Sequence, residues 1–193
     1  FNWRDFALSP EHARAYILGF NKLFAVKADG SHILLRGEMT HQQESINRNI
    51  RYLGIGGGFS WHMNGSVGGF TNYDQPLGVG IGTGSNVQTL ELSKVKGVRK
   101  TGFVLERLAT LNDYYYKVQF QYTPRKPWID YSVGFLYDKQ LGSLLLSSKL
   151  QVIHARNYQW QFGENSTKEF PSGKNLTSFL AQLNLIYSIN KLN

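Results

Sequence analysis

Between positions 144 and 162 hydrophobic and polar residues alternate one by one. Leu144, Leu146, Leu150, Val152, Tyr158, Trp160 and Phe162 share one parity, and Ser147, Lys149, Gln151, Asn157, Gln159 and Gln161 share the other. A period of two marks an extended strand whose faces meet different surroundings. At ~3.3 Å per residue such a strand would run roughly 60 Å, well beyond the usual strand of a soluble sheet. Its length, and the aromatics at one end of its apolar face, predict an outer-membrane β-barrel strand with lipid on one side and water on the other. His154 and Arg156 interrupt the apolar parity, which puts them at the headgroup level or beyond.

The same alternation recurs along the chain. Over 15–26, Tyr16, Leu18, Phe20 and Phe24 share a parity, and Asp29-Gly30 then gives a hairpin signal. Over 32–43, Ile33, Leu35 and Met39 oppose His32, Arg36, Glu38, Thr40 and Gln42. Over 128–138, Ile129, Tyr131, Val133, Phe135 and Tyr137 oppose Asp130, Ser132, Gly134 and Asp138. Over 176–190, Phe179, Ala181, Leu183, Leu185, Tyr187 and Ile189 oppose Ser178, Gln182, Asn184, Ser188 and Asn190. Further strands are expected at 87–96, 101–110 and 114–122. In the 101–110 strand the adjacent Glu106 and Arg107 must face opposite ways, and Gly102 shares the parity of Glu106, as a crowded interior favours. The prediction is an all-β, antiparallel up-and-down transmembrane β-barrel segment of about eight long strands. Residues 1–193 read as one unit, with an irregular glycine-rich loop at 44–86. Counting crossings back from a final strand that ends at the periplasm places the stretch before Val87 on the periplasmic side, and part of 44–86 would then cross the barrel again.

Composition changes this picture little. No run of eighteen apolar residues exists, but barrel strands hide their lipid contacts in alternation. Aromatic residues at 14% and 11 tyrosines suit interfacial girdles, Tyr114-Tyr115-Tyr116 among them. Cysteine is absent, so an envelope location is permitted without being required. Phe1-Asn2-Trp3-Arg4 does not read as a signal peptide, and the sequence reads as a mature form or a piece of a longer chain. The net charge of +8 draws anions such as acidic glycans or lipid phosphates, or reflects scattered surface lysines. Lys94, Lys96, Arg99 and Lys100 form the nearest approach to a basic cluster, and they flank a turn.

Candidate chemistry concentrates in the irregular segment. Trp61, His62, Tyr73, Asp74, Gln75 and Asn86, with Gln88 nearby, combine aromatic faces with amides and a carboxylate. Sugars use such sets, packing C–H faces on rings while amides and carboxylates bond pairs of hydroxyls. The competing reading is that these residues satisfy one another inside a plugged barrel. The 163–174 loop is the second place for such a site. Along the lumen, Arg36, Glu38, Glu106, Asp130 and Lys149 are expected to form a polar network, since buried charges persist when paired. The 78–84 run of glycines resembles a phosphate loop, but a strand rather than a helix is expected after it. His12, His32, His41, His62 and His154 show no metal-ligand spacing, and no nucleophile-elbow pattern appears. No metal, cofactor, nucleic-acid partner or catalytic residue is expected.

Several segments together resemble the capsule-assembly outer-membrane family Wzi, in the forms found in Bacteroidetes-like bacteria. They are the 12–24 run HARAYILGFNKLF, Gly37-Glu38-Met39-Thr40, Gly69-Phe70-Thr71, and the 77–86 run LGVGIGTGSN. Leu105-Glu106-Arg107 and Asn112-Asp113-Tyr114-Tyr115 follow in order. Thr83 stands where the family pattern has proline, and Asp74 where it has a small residue, both within the loop. The resemblance implies a large barrel of about eighteen strands with a periplasmic helical plug, of which this chain is the C-terminal part. It also implies a lectin that holds capsular polysaccharide at the bacterial outer membrane, in contact with outer-membrane lipid. The alternatives are a pore or transport barrel, or a barrel-based lipid hydrolase.

Overall fold

The computed structural model describes residues 16–24, 27–42, 71–72, 75–76, 81–82, 84–111, 115 and 125–187. The period-two alternation of side chains gives strands throughout, against the helix propensity of their many Leu, Lys and Gln residues. These are β1 (Tyr16–Leu23), β2 (His32–His41), β3 (Thr71–Asn72), β4 (Gln75–Pro76) and β5 (Asn86–Lys96), followed by β6 (Arg99–Ala109), β7 (Ile129–Leu141), β8 (Leu144–Arg156) and β9 (Leu176–Tyr187). Seven of them form one antiparallel sheet in the order β1-β2-β5-β6-β7-β8-β9, while β3 pairs only with β4. The fold is therefore all-β and up-and-down, with the form of a barrel segment. Its edges, β1 and β9, are not paired with each other among the described residues.

Register carries the alternation across the whole sheet. Phe20, Gly37, Leu90, Leu105, Val133, Val152 and Phe179 are successive cross-strand partners, and so lie in one row on one face. Gly19, Glu38, Thr89, Glu106, Ser132, Ile153 and Ser178 form the adjacent row, on the opposite face. Over β5–β8 burial then runs opposite to that of a soluble sheet, while β1 and β9 are exposed on both faces. Val133 is 52% exposed and Leu150 57%, whereas Ser132 is 7% and Gln151 6% exposed. We call the crowded polar face inward and the open apolar face outward. Two glycines permit the inward crowding. A Cβ on Gly102 would strike Ser93 and lie 2.5 Å from the Leu92 carbonyl oxygen, and one on Gly134 would lie 2.8 Å from Val104.

The connections differ by end. At one end β5–β6 and β7–β8 turn through two residues each, with Gly97 (φ 56°) and Gly142 (φ 61°) at the first position, where the backbone is left-handed. The β1–β2 turn at the same end has Gly30 at φ 75° and is fastened by Asp29, whose Oδ1 accepts from the Ser31 N–H (2.9 Å) and hydroxyl (2.6 Å). At the other end lie the long connections 42–85, 110–128 and 157–175. Because β6 pairs directly with β7, no strand stands between them in the sheet. The strand expected at 114–122 lies outside the described residues apart from Tyr115. Asn86 consequently sits at the long-connection end, and five sheet strands rather than six run from it to the end of β9, so the same count from a periplasmic chain end puts it on the opposite side.

A second correction concerns the 144–162 strand. β8 stops at Arg156, and a single 3₁₀ turn, η1 (Tyr158–Trp160), follows. Asn157, Gln159 and Trp160 all have positive φ (53°, 50° and 55°), which an extended strand cannot hold. Asn157 stabilises the break by donating its side-chain N–H to the Pro127 carbonyl (2.9 Å). Tyr158, Trp160 and Phe162 keep strand parity in sequence only.

Candidate functional site

The inward face carries short polar contacts rather than one network. Arg36 and Glu38 form an ion pair at 3.2 Å, both about half exposed. Thr89 donates to Glu106 at 3.4 Å, and the Trp128 indole N–H donates to Asp130 at 2.6 Å. Gln151 donates to the Ser132 hydroxyl at 2.6 Å. Lys149 shares the face, opposite Leu136 and Gln182, and makes no described polar contact with the other four expected lumen residues. Arg36, Glu38, Thr89 and Glu91 border a recess of about 200 Å³.

Glu91 is the residue that sequence reasoning missed. It is nearly buried, pairs with Lys100 at 3.3 Å, and accepts from the Ser93 hydroxyl at 2.9 Å. Its parity with Thr89 and Ser93, against Leu90 and Leu92, was the available signal.

The outward face is apolar in a belt and basic at its margins. Arg107 and Arg156 stand toward the long connections; Lys94, Lys96, Arg99 and Lys139 stand toward the turns, and Lys22 lies on β1. Among the described residues no outward strand position holds Asp or Glu. The strand carboxylates Glu38, Glu91, Glu106, Asp130 and Asp138 all face inward. On β5 the belt lies between Gln88 and Lys94, about 20 Å along the strand and ~15 Å along the normal at a tilt near ~40°. Arg and Lys stems at the margins extend its reach by snorkelling.

The irregular segment up to Asn86 was expected to hold the polysaccharide residues. Trp61, His62, Tyr73 and Asp74 lie outside the described residues. Gln75 lies in β4, opposite Asn72. Asn86 is buried, and its Oδ1 accepts from the Gln42 N–H at 3.2 Å. Gln42 N–H also donates to the Ser85 carbonyl (3.1 Å), while the Ser85 hydroxyl accepts from the Leu111 N–H (2.9 Å). Asn86 thus fastens the feet of the long connections through its Oδ1. The glycine run ends at a strand, β5, so no helix N-terminus follows it.

Aromatic and amide groups do gather at this end, around 157–175. Trp128 stacks edge-on with Tyr158 (5.2 Å) and Trp160 (5.8 Å), and Arg125 lies 5.3 Å from the Phe162 ring centre. Gln161 donates to Gln159 and accepts from Lys174, each at 3.2 Å. Arg125, Asn157, Trp160, Gln161 and Phe162 border a slot of only about 10 Å³, roughly one water in size. Among the described residues no group of three His, Cys, Asp or Glu could hold a metal ion. No family model, curated protein or solved structure matches the chain.

Proposed function

We propose that this chain is part of an outer-membrane β-barrel and that it binds or anchors surface polysaccharide without catalysis. The observation that carries the membrane part is the inversion of burial, with hydroxyls, amides and carboxylates crowded inward and Val, Leu and Phe open outward. That arrangement costs stability in water and gains it in lipid. Two-residue turns at one end and long connections at the other match the periplasmic and extracellular ends of such barrels. The polysaccharide part rests on the aromatic and amide groups at the outward-opening end, where loops held by a rigid sheet collect recognition residues. The resemblance to the capsule-assembly family agrees with this reading.

The test is retention of the cell's own polysaccharide on cells carrying the full-length protein. Alanine at Trp61, Tyr73 or Asp74, or at Trp160 and Gln161 together, should lower retention while the barrel still assembles. Unchanged retention in every variant would refute the binding reading. A large stepwise conductance in planar bilayers would favour a pore.

A further inference from the structure

The outward face has a feature that polysaccharide binding does not use. Register sets Gln88, Arg107, Tyr131, His154 and Thr177 side by side, one row above the apolar belt on the long-connection side. Arg107 donates through Nη1 to Gln88 Oε1 at 2.9 Å, which fixes the guanidinium and leaves further N–H donors. No carboxylate pairs with Arg107 among the described residues. Against this row lies a groove of about 570 Å³, lined by Leu90, Leu105, Val133 and Val152, by Gln88, Arg107, Tyr131 and His154 of the row itself, and also by Thr89, Glu106 and Ser132 of the inward parity.

The two halves call for different chemistry in one ligand. A planar cation without a protein counter-ion favours a phosphate, which it can hold through two parallel N–H donors. An apolar groove beside it favours an acyl chain. An unpaired guanidinium at the belt's margin costs little but still attracts an anion, and no outward strand carboxylate supplies one. We propose that this row and groove bind a phosphorylated glycolipid of the outer leaflet, with phosphate on Arg107 and acyl chain along Leu90, Leu105, Val133 and Val152. Tyr131 and His154 stand beside the headgroup as further hydrogen-bonding groups. The inference rests on the reading that this face meets lipid and that the long connections face outward.

The probe is bisphosphorylated lipid A, added to the detergent-purified full-length protein and read by native mass spectrometry. The wild type should retain one lipid, and Arg107→Gln should weaken retention about tenfold or more, as loss of a charge-assisted contact implies. Arg107→Lys should recover part of it, and Lys139→Gln, at the opposite margin, should change nothing. Equal retention by Arg107→Gln and wild type overturns the site, as does equal retention of lipid A stripped of its phosphates. A bimane label at Leu183→Cys, in vesicles with brominated acyl chains, separates the two levels of failure. Quenching alongside unchanged retention in Arg107→Gln overturns the site alone, whereas absence of quenching overturns the lipid-facing reading beneath it.

Discussion

Replacing Val133 by arginine separates a membrane sheet from a soluble one by magnitude. Val133 lies within the apolar belt on β7, between Tyr131 and Phe135 along the strand and between Leu105 and Val152 across it. It is 52% exposed. In water a change at such a position stays within about 0.5 kcal/mol, because it removes little packing. At a bilayer midplane the same arginine costs ~2–4 kcal/mol, a shift of roughly 30- to 900-fold in the folding equilibrium. Thr177→Arg serves as the depth control. It faces the same way but lies at the belt's margin, opposite His154, where the cost falls to ~0–1 kcal/mol. The assay is guanidinium unfolding of the full-length protein in phospholipid vesicles, followed by tryptophan fluorescence. If Val133→Arg matches both wild type and Thr177→Arg within ~0.5 kcal/mol, the outward face does not meet lipid.

Other expectations follow from the inward face and the turns. Lys100→Ala leaves Glu91 nearly buried without its cation, and should destabilise more than the joint Glu91→Gln, Lys100→Ala change, by ~1–3 kcal/mol in a double-mutant cycle. Gly102→Ala should cost ~1–3 kcal/mol in the same unfolding assay, since its Cβ meets Ser93 and the Leu92 carbonyl. Asp29 is held well below the usual carboxylate range by the Ser31 hydroxyl first and the Ser31 N–H second, with Lys94 adding to the effect. A depressed folded value means the stabilisation of the turn is complete above the unfolded value near ~3.9 and is lost as pH falls through the folded one. Protection of the Ser31 amide from hydrogen exchange should accordingly persist at pH near ~4 and fall only in stronger acid; Asp29→Ala should remove that dependence.

Much of the sheet was legible because parity is a direct physical record of two environments. β1, β2, β7 and β9 show it, although Leu34, Leu136, Leu180 and Ile186 stand at inward positions, and register then extends it to β5 and β6. Legibility failed where parity persisted without extension. Tyr158, Trp160 and Phe162 continue the alternation of β8, but Asn157 tolerates the left-handed backbone that ends the strand. Adjacent charges gave a subtler case. Glu106 and Arg107 lie on opposite faces, and parity alone does not say which face is crowded; Gly102 and Ser93 decide it through contact. The residues expected to meet sugar were the least legible part, since Trp61, His62, Tyr73 and Asp74 lie outside the described residues. Asn86 has the amide a sugar site would use, yet its partner is the Gln42 backbone, forty-four positions away in the chain.

The central claim is that lipid covers the outward face and water the inward one. Spin labels placed singly at positions 130, 131, 132, 133, 135 and 138 of β7, in the full-length protein in vesicles, test it most directly. Oxygen, which partitions into lipid, should relax labels at Tyr131, Val133 and Phe135, while a water-soluble nickel chelate should relax those at Asp130, Ser132 and Asp138. Accessibility that is the same for both parities, or that favours oxygen at the even positions, would contradict the account.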